Sequence, residues 1–358
     1  MRPELRVLAL TRYDRLGPSS RLRILQFVPA LRQFGIVVTV DPLLQDSQLA
    51  QKLAGRRYRG PDLAWSYLRR LWTLRGARQY DLIWVQKEAF PWLPAFTERF
   101  PGLLRVPYVV DYDDPTFHSY NQHPKAIVRA ALGAKIADVM RHAAAVVVGN
   151  AYLAQYARAA GAKSIVEIPT VVDVARYQIS RSPRATGPIR IGWIGTPSTS
   201  RYLDDIAPSL RQLMRRKEAK LVVVGAPHFS MAGVSSEARQ WHESSEVAAI
   251  QSFDVGVMPL RDTPFARGKC GYKLIQYMAC GLPTVASPVG ANATIVDHGR
   301  TGFLATTQGE WLDRLSDLAR DANLRAHLGQ AGREKAVALY SLERATPVLA
   351  EVLRQAAT

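Results

Sequence analysis

The chain has 358 residues, more than one hydrophobic core usually organises, so two domains are expected. Hydrophobic residues make up 47% and charged residues 22% of the sequence, a balance typical of a globular protein. The sequence has no apolar run of membrane-spanning length, no apolar leader with a cleavage site, and only Cys270 and Cys280 as cysteines. These features argue against a membrane-spanning, secreted, disulfide-linked or zinc-binding protein and predict a cytoplasmic location.

The formal net charge of +17 is concentrated in the first half of the chain. Such a charge predicts affinity for anions such as nucleic acid, anionic lipid or phosphorylated ligands. An arginine-rich genome is an alternative explanation, because it places Arg wherever a polar surface residue is tolerated. Nucleic acid is not an expected partner, since the sequence shows no recognition-helix or RNA-binding motif.

The first half alternates strand and helix patterns. The apolar run Arg6–Leu10 predicts a buried parallel strand, and apolar residues then recur at roughly helical spacing from Leu22 until Gly35. Further strands are predicted at residues 36–43, 80–86, 107–114, 143–150 and 164–170. Strands that alternate with helices indicate βαβ units and a parallel sheet covered on both faces. We assign residues 1–174 to this first domain.

A polar segment with two prolines and a glycine, residues 175–188, predicts an interdomain linker. The strand–helix pattern then restarts and fills residues 189–340, which predicts a second α/β domain. Residues 341–358 predict one more amphipathic helix, with the option of packing back on the first domain. Ligands bind doubly wound sheets at the carboxyl ends of their strands, so we expect a site between the two domains.

The segment from Ser252 to Ala305 carries the most informative motifs, which are YMACGLPTVAS, PVGAN and DHGRTGFLA in that order. It resembles glycosyltransferase family 4, the group 1 glycosyltransferases of the GT-B fold, and IPTVVDVARY at residues 168–177 resembles the end of that family's first domain. The resemblance implies two facing Rossmann-like domains, with the acceptor bound by the first, the nucleotide sugar by the second, and the active site in the cleft between them.

The same resemblance implies a retaining transfer of a sugar from a nucleotide sugar to a hydroxyl of a glycan or lipid-linked acceptor. It further implies that no metal or other cofactor is needed and that the protein serves polysaccharide or cell-envelope biosynthesis. Two alternatives stay open. One is a sugar-nucleotide epimerase of the same fold, and the other is a non-catalytic sugar-nucleotide-binding protein. A dehydrogenase is disfavoured because no G-x-G-x-x-G follows an early strand.

A glycine-rich loop with two lysines, Lys269 and Lys273, precedes a predicted helix. The free N–H groups and partial positive charge at a helix N-terminus favour an anion, and the lysines add full charges. We therefore predict that this loop binds the donor diphosphate. The alternative is that both lysines are solvated on the helix surface.

Other donor-site candidates follow two strands of the second domain. Gly290 is predicted to let the backbone approach the ligand, unless it only makes a turn. Gly195 ends another strand, and the hydroxyls after it either bind phosphate or cap the next helix; these residues are Thr196, Ser198 and Thr199.

The sequence departs from the family at its two motif glutamates. The second falls on Gln276, which we predict to contact the ribose because an amide both donates and accepts hydrogen bonds. The first falls on Gly268, so no residue is assigned to the sugar-facing contact.

Acceptor-site candidates follow three strands of the first domain. The loop after the first strand contributes Ser19, Ser20, Arg21 and Arg23. Asp113, Asp114 and His118 follow another strand and are predicted to orient the acceptor hydroxyl or take its proton, unless an aspartate merely caps the next segment. Glu88, at a third strand end, is a further acceptor-binding candidate.

The segment from Lys52 to Arg78 is rich in Lys and Arg and contains a single acidic residue, Asp62. Trp65, Leu68 and Trp72 fall on one predicted helical face, with Arg69 and Arg70 beside them. Basic residues next to aromatic ones suit an anionic bilayer surface, so a peripheral membrane position on the inner face of the cytoplasmic membrane is predicted. The alternative is that the aromatic residues pack into the core.

Overall fold

The computed structural model describes residues 4–99, 106–179 and 188–358. The chain divides into two compact units, one formed by Met1–Thr170 with Glu343–Thr358 and the other by Val171–Leu342. Most of the expected linker, residues 180–187, lies outside the described residues. None of the helices within the described ranges combines the length and the apolar character needed to cross a membrane.

The first unit contains a six-stranded sheet in the order β2-β1-β3-β4-β5-β6, and every neighbouring pair is parallel. Its strands match the six predicted in the first half of the sequence and lie at β1 Leu5–Tyr13, β2 Ile36–Leu44, β3 Leu82–Gln86, β4 Tyr108–Tyr112, β5 Ala145–Val148 and β6 Ile165–Glu167. Strands β3, β4 and β5 are buried along their whole length, as their nearly continuous apolar sequences predict.

Helices and helical turns connect these strands. A short helix at Pro18–Ser20 runs into a π-helical turn at Arg21–Leu25. The remaining α-helices are Val28–Leu31, Asp46–Leu53, Gly60–Arg75, His118–Asn121, Ala126–Leu132, Lys135–His142, Ala151–Ala159 and Leu342–Ala356. Turns of 3-10 helix lie at Arg32–Phe34, Ala77–Gln79 and Ala95–Arg99.

The second unit contains a six-stranded parallel sheet in the order β12-β11-β10-β7-β8-β9. Its strands are β7 Ile189–Ile194, β8 Ala219–Val224, β9 Ser236–Arg239, β10 Val255–Met258, β11 Thr284–Ala286 and β12 Gly302–Leu304. The sequence pattern does not predict β9, whose residues SEAR are mostly polar because this edge strand is only partly covered.

The helices of this unit pack on both faces of its sheet. They lie at Pro197–Ser200, Ala207–Arg215, Glu246–Gln251, Pro264–Arg267, Tyr272–Ala279, Asn292–Ile295, Gln308–Arg320 and Ala322–Leu339. Two 3-10 turns lie at Arg201–Ile206 and Glu243–Ser245. The helix Tyr272–Ala279, which carries Lys273 in its first turn, is called the lysine helix below.

Each sheet has one point at which its strand order reverses. In the first unit the reversal lies between β1 and β3, and in the second it lies between β7 and β10. Connections leave in opposite directions at such a point and open a crevice beyond the carboxyl ends of the two strands. The candidate residues at Ser19 and Glu88 border the first reversal, and Gly195 borders the second.

The lysine helix is seated on the second sheet by Tyr277, which is fully buried. The Tyr277 ring lies where a Cβ at Gly256 of β10 would be, at 2.3 Å, so only glycine permits this approach. The Ile194 N–H donates to Tyr277 Oη at 3.1 Å. The helix is therefore tied to the last residue of β7, directly before Gly195.

Replacing Gly256 with alanine should destabilise the second unit by about 1–3 kcal/mol, because the new methyl group overfills a packed core. Urea denaturation followed by circular dichroism measures the change. Gly309→Ala is the matched control, since its nearest neighbour, Thr307 Oγ1, is 3.9 Å from the new Cβ at an exposed helical position. The control should be neutral or slightly stabilising. Equal midpoints for the two variants would contradict the tight seating of Tyr277.

Candidate functional site

A cluster of charged side chains lies at the strand reversal of the first unit, centred on Lys87. Its ammonium nitrogen is 2.9 Å from Asp113 Oδ1 and 2.9 Å from Asp114 Oδ2. It also donates to Ser19 Oγ at 3.3 Å. Three connections, those after β1, β3 and β4, thus bring Ser19, Lys87 and the two aspartates together. We call these four residues the Lys87 cluster.

The backbone of Lys87 adopts a left-handed conformation with φ of 65°, which is uncommon for a residue with a side chain. Its N–H donates to the carbonyl of Asp111 at 2.9 Å, which continues the β3–β4 pairing for one more residue. The acceptor-site candidate predicted from the sequence is the neighbouring Glu88, not Lys87. The turn that follows Gln86 determines which of these two side chains reaches the aspartates. The sequence pattern of a strand does not reveal such a turn.

Electrostatics keep Asp113 and Lys87 ionised. Burial opposes ionisation of Asp113, but Lys87 and a hydrogen bond from Ser19 outweigh it and lower the pKa of this carboxyl. Burial likewise opposes the charge on Lys87, yet Asp113 and Asp114 raise its pKa well above the ordinary value. Asp113 is therefore a carboxylate and Lys87 an ammonium across the neutral range.

Two other predicted acceptor residues support the loop that carries Ser19. Ser20 is fully buried, donates to Gln86 Oε1 at 2.8 Å and accepts from the Tyr13 N–H at 3.2 Å. Arg21 is also buried and donates to the Arg15 carbonyl at 2.9 Å. These contacts hold the loop after β1 against the end of β3.

The prediction that Arg23 contacts the acceptor is wrong in this structure. Its side chain is 1% exposed, pairs with Asp111 at 2.7 and 3.2 Å, and donates to the Ile168 carbonyl at 2.8 Å. Burial raises the pKa of Asp111, and Arg23 partly offsets this effect. The pair is a structural link between the helical turn Arg21–Leu25 and β4.

The prediction that Glu88 contacts the acceptor is wrong for the same reason. Its carboxylate is buried, accepts from Tyr120 Oη at 2.8 and 2.9 Å, and lies 2.7 Å from Lys135 Nζ. Lys135 also pairs with Glu98 at 3.1 Å. Two carboxylates and one ammonium thus satisfy each other inside the unit, so Glu88 belongs to the core.

His118 is half-buried and lies in a separate small network. Its Nδ1 is 3.1 Å from Asn121 Oδ1 and its Nε2 is 2.8 Å from Tyr152 Oη. Burial lowers its pKa, and the hydrogen bond to Asn121 only partly opposes this shift. His118 is therefore neutral at pH 7. Its hydrogen bonds thus link it to Asn121 and Tyr152 rather than to the aspartates.

A second candidate site lies at the strand reversal of the second unit. Lys273 extends from the lysine helix along the end of β7, so a Cβ at Gly195 would lie 2.9 Å from Lys273 Cε. Its ammonium is 5.5 Å from the centre of the Trp193 ring. Gly195 and Lys273, 78 positions apart in sequence, are thus brought together. We call this arrangement the Gly195–Lys273 site.

Hydroxyl groups follow directly after Gly195. Thr196 Oγ1 is 3.0 Å from Ser198 Oγ and 3.3 Å from Thr199 Oγ1. Thr196 precedes the helical turn Pro197–Ser200 but makes no side-chain cap to it. The capping alternative therefore fails for Thr196, and the three hydroxyls face one another at the carboxyl end of β7.

Gly290 and Lys269 lie on two loops that touch. Gly290 has φ of 56°, and a Cβ there would lie 2.3 Å from the Arg267 carbonyl oxygen. The loop after β11 thus packs on the residue that precedes the glycine-rich loop. Lys269 Nζ lies 5.2 Å from the centre of the Phe265 ring.

Gln276 differs from its predicted role as a ribose contact. It is 2% exposed, and its Nε2 donates to Tyr177 Oη at 2.9 Å. Tyr177 in turn donates to Glu246 Oε1 at 2.8 Å, and Trp241 Nε1 donates to Glu246 Oε2 at 2.7 Å. Gln276 therefore satisfies a buried polar network instead of presenting its amide to a ligand.

Within the described ranges, no group of three or more His, Cys, Asp or Glu side chains is arranged to hold a metal ion. The sequence pair Asp111-x-Asp113 is divided between two partners, because Asp111 faces Arg23 and Asp113 faces Lys87.

Residues 189–321 match the family model described as Glycosyl transferases group 1. This stretch lies in the second unit and contains Gly195, the lysine helix and Gly290. The Gly195–Lys273 site therefore lies inside the stretch that matches this model. The match does not distinguish family 4 from other families of that group.

Two curated relatives match parts of the chain. D-inositol 3-phosphate glycosyltransferase of Paenarthrobacter aurescens is 27% identical over 34% of this chain and 27% of its own length. N-acetyl-alpha-D-glucosaminyl L-malate synthase of Bacillus anthracis is 24% identical over 40% of this chain and 39% of its own. The matched region thus spans less than half the length of either relative.

Solved structures resemble the chain over nearly its whole length. Sucrose-phosphate synthase from Thermosynechococcus elongatus has a TM-score of 0.71 at 16% identity and covers 98% of both chains. HepE of Anabaena, solved in complex with UDP, has a TM-score of 0.68 at 16% identity and covers 98% of this chain and 100% of its own. The chain therefore has the two-domain α/β fold of the GT-B glycosyltransferases.

Replacing Arg23 with leucine should destabilise the first unit by about 3–5 kcal/mol, because Asp111 is left as an unpaired buried carboxylate. Adding Asp111→Leu removes that charge and should recover much of the loss. Urea denaturation of the wild type, the single variant and the double variant measures both effects. A single variant that unfolds at the wild-type midpoint would return Arg23 to the acceptor-binding candidates.

Proposed function

We propose that the chain is a retaining glycosyltransferase that moves a sugar from a nucleotide sugar to an acceptor hydroxyl. The observation that carries this proposal is the approach of Lys273 to Gly195 at the strand reversal, inside the stretch that matches the glycosyltransferase model. That HepE was solved with UDP supports a nucleotide-sugar donor of this type. The acceptor we propose is a glycan or a lipid-linked sugar of polysaccharide or cell-envelope biosynthesis.

In the donor half of the reaction, the bond between the anomeric carbon and the diphosphate oxygen breaks. Negative charge then grows on the departing diphosphate, and a fixed cation beside it lowers the barrier. Lys273 supplies that cation, held at Gly195 by the seating of Tyr277. Lys269, the hydroxyls of Thr196, Ser198 and Thr199, and the backbone at Gly290 complete the proposed donor contacts.

In the acceptor half, a hydroxyl oxygen forms a new bond to the anomeric carbon, and its proton passes to the departing diphosphate oxygen, which has become more basic as its bond to that carbon breaks. We propose that Asp113 and Asp114, with Ser19 beside them, orient this hydroxyl. Because Lys87 and Ser19 lower the pKa of Asp113, this carboxylate is a better hydrogen-bond acceptor than general base at neutral pH. The Lys87 cluster therefore positions the hydroxyl, and His118 lies outside the proposed chemistry.

The two alternatives differ from this proposal in measurable ways. An epimerase needs acid and base carboxylates in its donor pocket, whereas Glu246, the carboxylate beside Gln276, already accepts hydrogen bonds from Tyr177 and Trp241. A non-catalytic binding protein would hold the nucleotide sugar without turning it over. Product analysis separates the three, since only a transferase releases nucleoside diphosphate in step with a glycosylated acceptor.

Lys273→Ala should weaken nucleoside-diphosphate binding by about 1.5–3 kcal/mol, because a hydrogen bond to a charged group is lost. Isothermal titration with UDP, or with whichever nucleoside diphosphate shifts the wild-type melting temperature most, measures the loss. Lys163→Ala, at an exposed position of the first unit, is the control and should bind as the wild type does. Unchanged affinity in a folded Lys273→Ala chain would refute the donor site.

Turnover of the nucleotide sugar should survive excess EDTA, because the proposed charge stabilisation comes from Lys273 and Lys269. The test compares nucleoside-diphosphate release with and without chelator. Loss of release that manganese or magnesium restores would overturn the cationic mechanism, and it would direct attention to Asp113 and Asp114 as metal ligands.

A further inference from the structure

The helix Gly60–Arg75, called the tryptophan helix below, exposes large apolar side chains along one face. Trp65 is 67% exposed, Leu68 58% and Trp72 71%, and Leu71 is exposed beside them. Positions 65, 68 and 72 follow the i, i+3, i+7 spacing of a single helical stripe. The alternative that these tryptophans pack into the core is therefore wrong, and the stripe faces away from the unit.

The opposite face anchors the helix firmly. Arg70 is fully buried, pairs with Asp41 at 2.7 Å and donates to the carbonyls of Thr11 and Asp41 at 2.7 and 2.8 Å. Arg69 pairs with the same carboxylate at 2.7 Å. Both arginines thus bind inward rather than lying beside the tryptophans as predicted. A rigid seat of this kind holds the exposed stripe in place.

A neighbouring segment extends the apolar surface. Tyr67 of the tryptophan helix donates to the Pro91 carbonyl at 2.5 Å, and its ring lies 6.3 Å from that of Phe90. Directly after Pro91, three more large side chains are exposed, namely Trp92, Leu93 and Phe96. Together with the stripe they form what we call the tryptophan surface. Exposed apolar groups of this size mark interaction sites.

Exposed cations lie before the tryptophan helix, at its last residue and shortly after it. They are Lys52, Arg56, Arg57, Arg59, Arg75 and Arg78. The Arg75 guanidinium lies 5.1 Å from the centre of the Trp72 ring, so cation and indole occupy the same patch. Asp62, paired with Arg59 at 3.8 Å, is the single acidic residue between positions 52 and 78.

We propose that the tryptophan surface docks on an anionic bilayer. Indole and leucine side chains enter the headgroup boundary, while the surrounding lysine and arginine groups remain at the phosphate level. The positive charge around the tryptophan surface favours a bilayer as its binding partner. Anionic lipid complements the six exposed cations without requiring a partner of matching shape.

Hydrogen bonds connect the tryptophan surface to the acceptor side of the first unit. The Trp92 N–H donates to Tyr120 Oη at 3.0 Å, and Tyr120 donates to Glu88, the residue next to Lys87. Two hydrogen bonds thus separate the bilayer-facing tryptophan from the connection that carries the Lys87 cluster. If the proposed function holds, a lipid-linked acceptor reaches this cluster from the membrane plane. Docking on the bilayer would thus favour a lipid-linked acceptor over a free glycan.

The test is sedimentation of the full chain with vesicles of phosphatidylcholine alone or mixed with phosphatidylglycerol, at low and high salt. Binding should require the anionic lipid and fall with salt. Trp65→Ser with Trp72→Ser should reduce it at least about tenfold, and each replacement of Arg56, Arg57 or Arg75 by Gln by about fivefold. The control pair, Val337→Ser with Leu339→Ser, removes exposed apolar groups from the second unit and should bind as the wild type does.

Three outcomes would overturn the docking proposal. They are no binding to anionic vesicles at low salt, equal binding by the double tryptophan variant, and a wild-type dimer that this variant converts to a monomer, which would assign the surface to a second copy. Nucleoside-diphosphate binding, measured on the same variants without vesicles, reports on the proposed function separately. Vesicle binding without donor binding would refute the transferase and leave the docking intact.

Discussion

The order in which the parallel strands pair is the constraint on which both candidate sites depend. A right-handed crossover carries the chain to one face of a sheet, and the reversal at β1/β3 and at β7/β10 sends the next crossover to the other face. At such a point the two connections diverge and leave a crevice beyond the carboxyl ends of the strands. Charged and hydroxyl side chains can therefore stay in contact with water there, while the strands behind them are buried. Lys87 and Gly195 each follow a strand that borders such a gap.

Behind these openings, the first unit uses charge as a structural element. Arg23 with Asp111, Arg70 with Asp41, and Lys135 with Glu88 are each nearly or fully removed from solvent. Such pairs contribute little net stability compared with apolar residues, but they strongly penalise arrangements in which either member is left alone. They thereby favour one placement of the connections after β1, β3 and β4. By fixing these connections, the buried pairs also fix the positions of the residues in the Lys87 cluster.

The sequence predicts the fold well because periodicity reports burial directly. Among the described residues, apolar runs identify every strand of the first unit, and the one strand that the pattern does not predict, β9, is a mostly polar edge segment. The sequence pattern of the glycine-rich loop also correctly predicted that Lys273 lies at the start of a helix. The pattern cannot show whether a charged residue at a strand end turns outward or inward. Arg23, Glu88 and Gln276 satisfy buried partners that are distant in sequence. Lys87 is also buried, and it meets Asp113 and Asp114 from a left-handed backbone that the sequence does not reveal.

The first unit is assembled from two separate stretches of the polypeptide, because residues 343–358 belong with residues 1–170. Arg354 of the final helix donates to the Phe34 carbonyl, a partner 320 positions earlier. A ribosome releases this helix only after the whole of residues 171–342 has been synthesised. The second unit is continuous and can fold as soon as it emerges. The first unit is completed only after residues 343–358 have been synthesised, so its sheet precedes the helix that completes it.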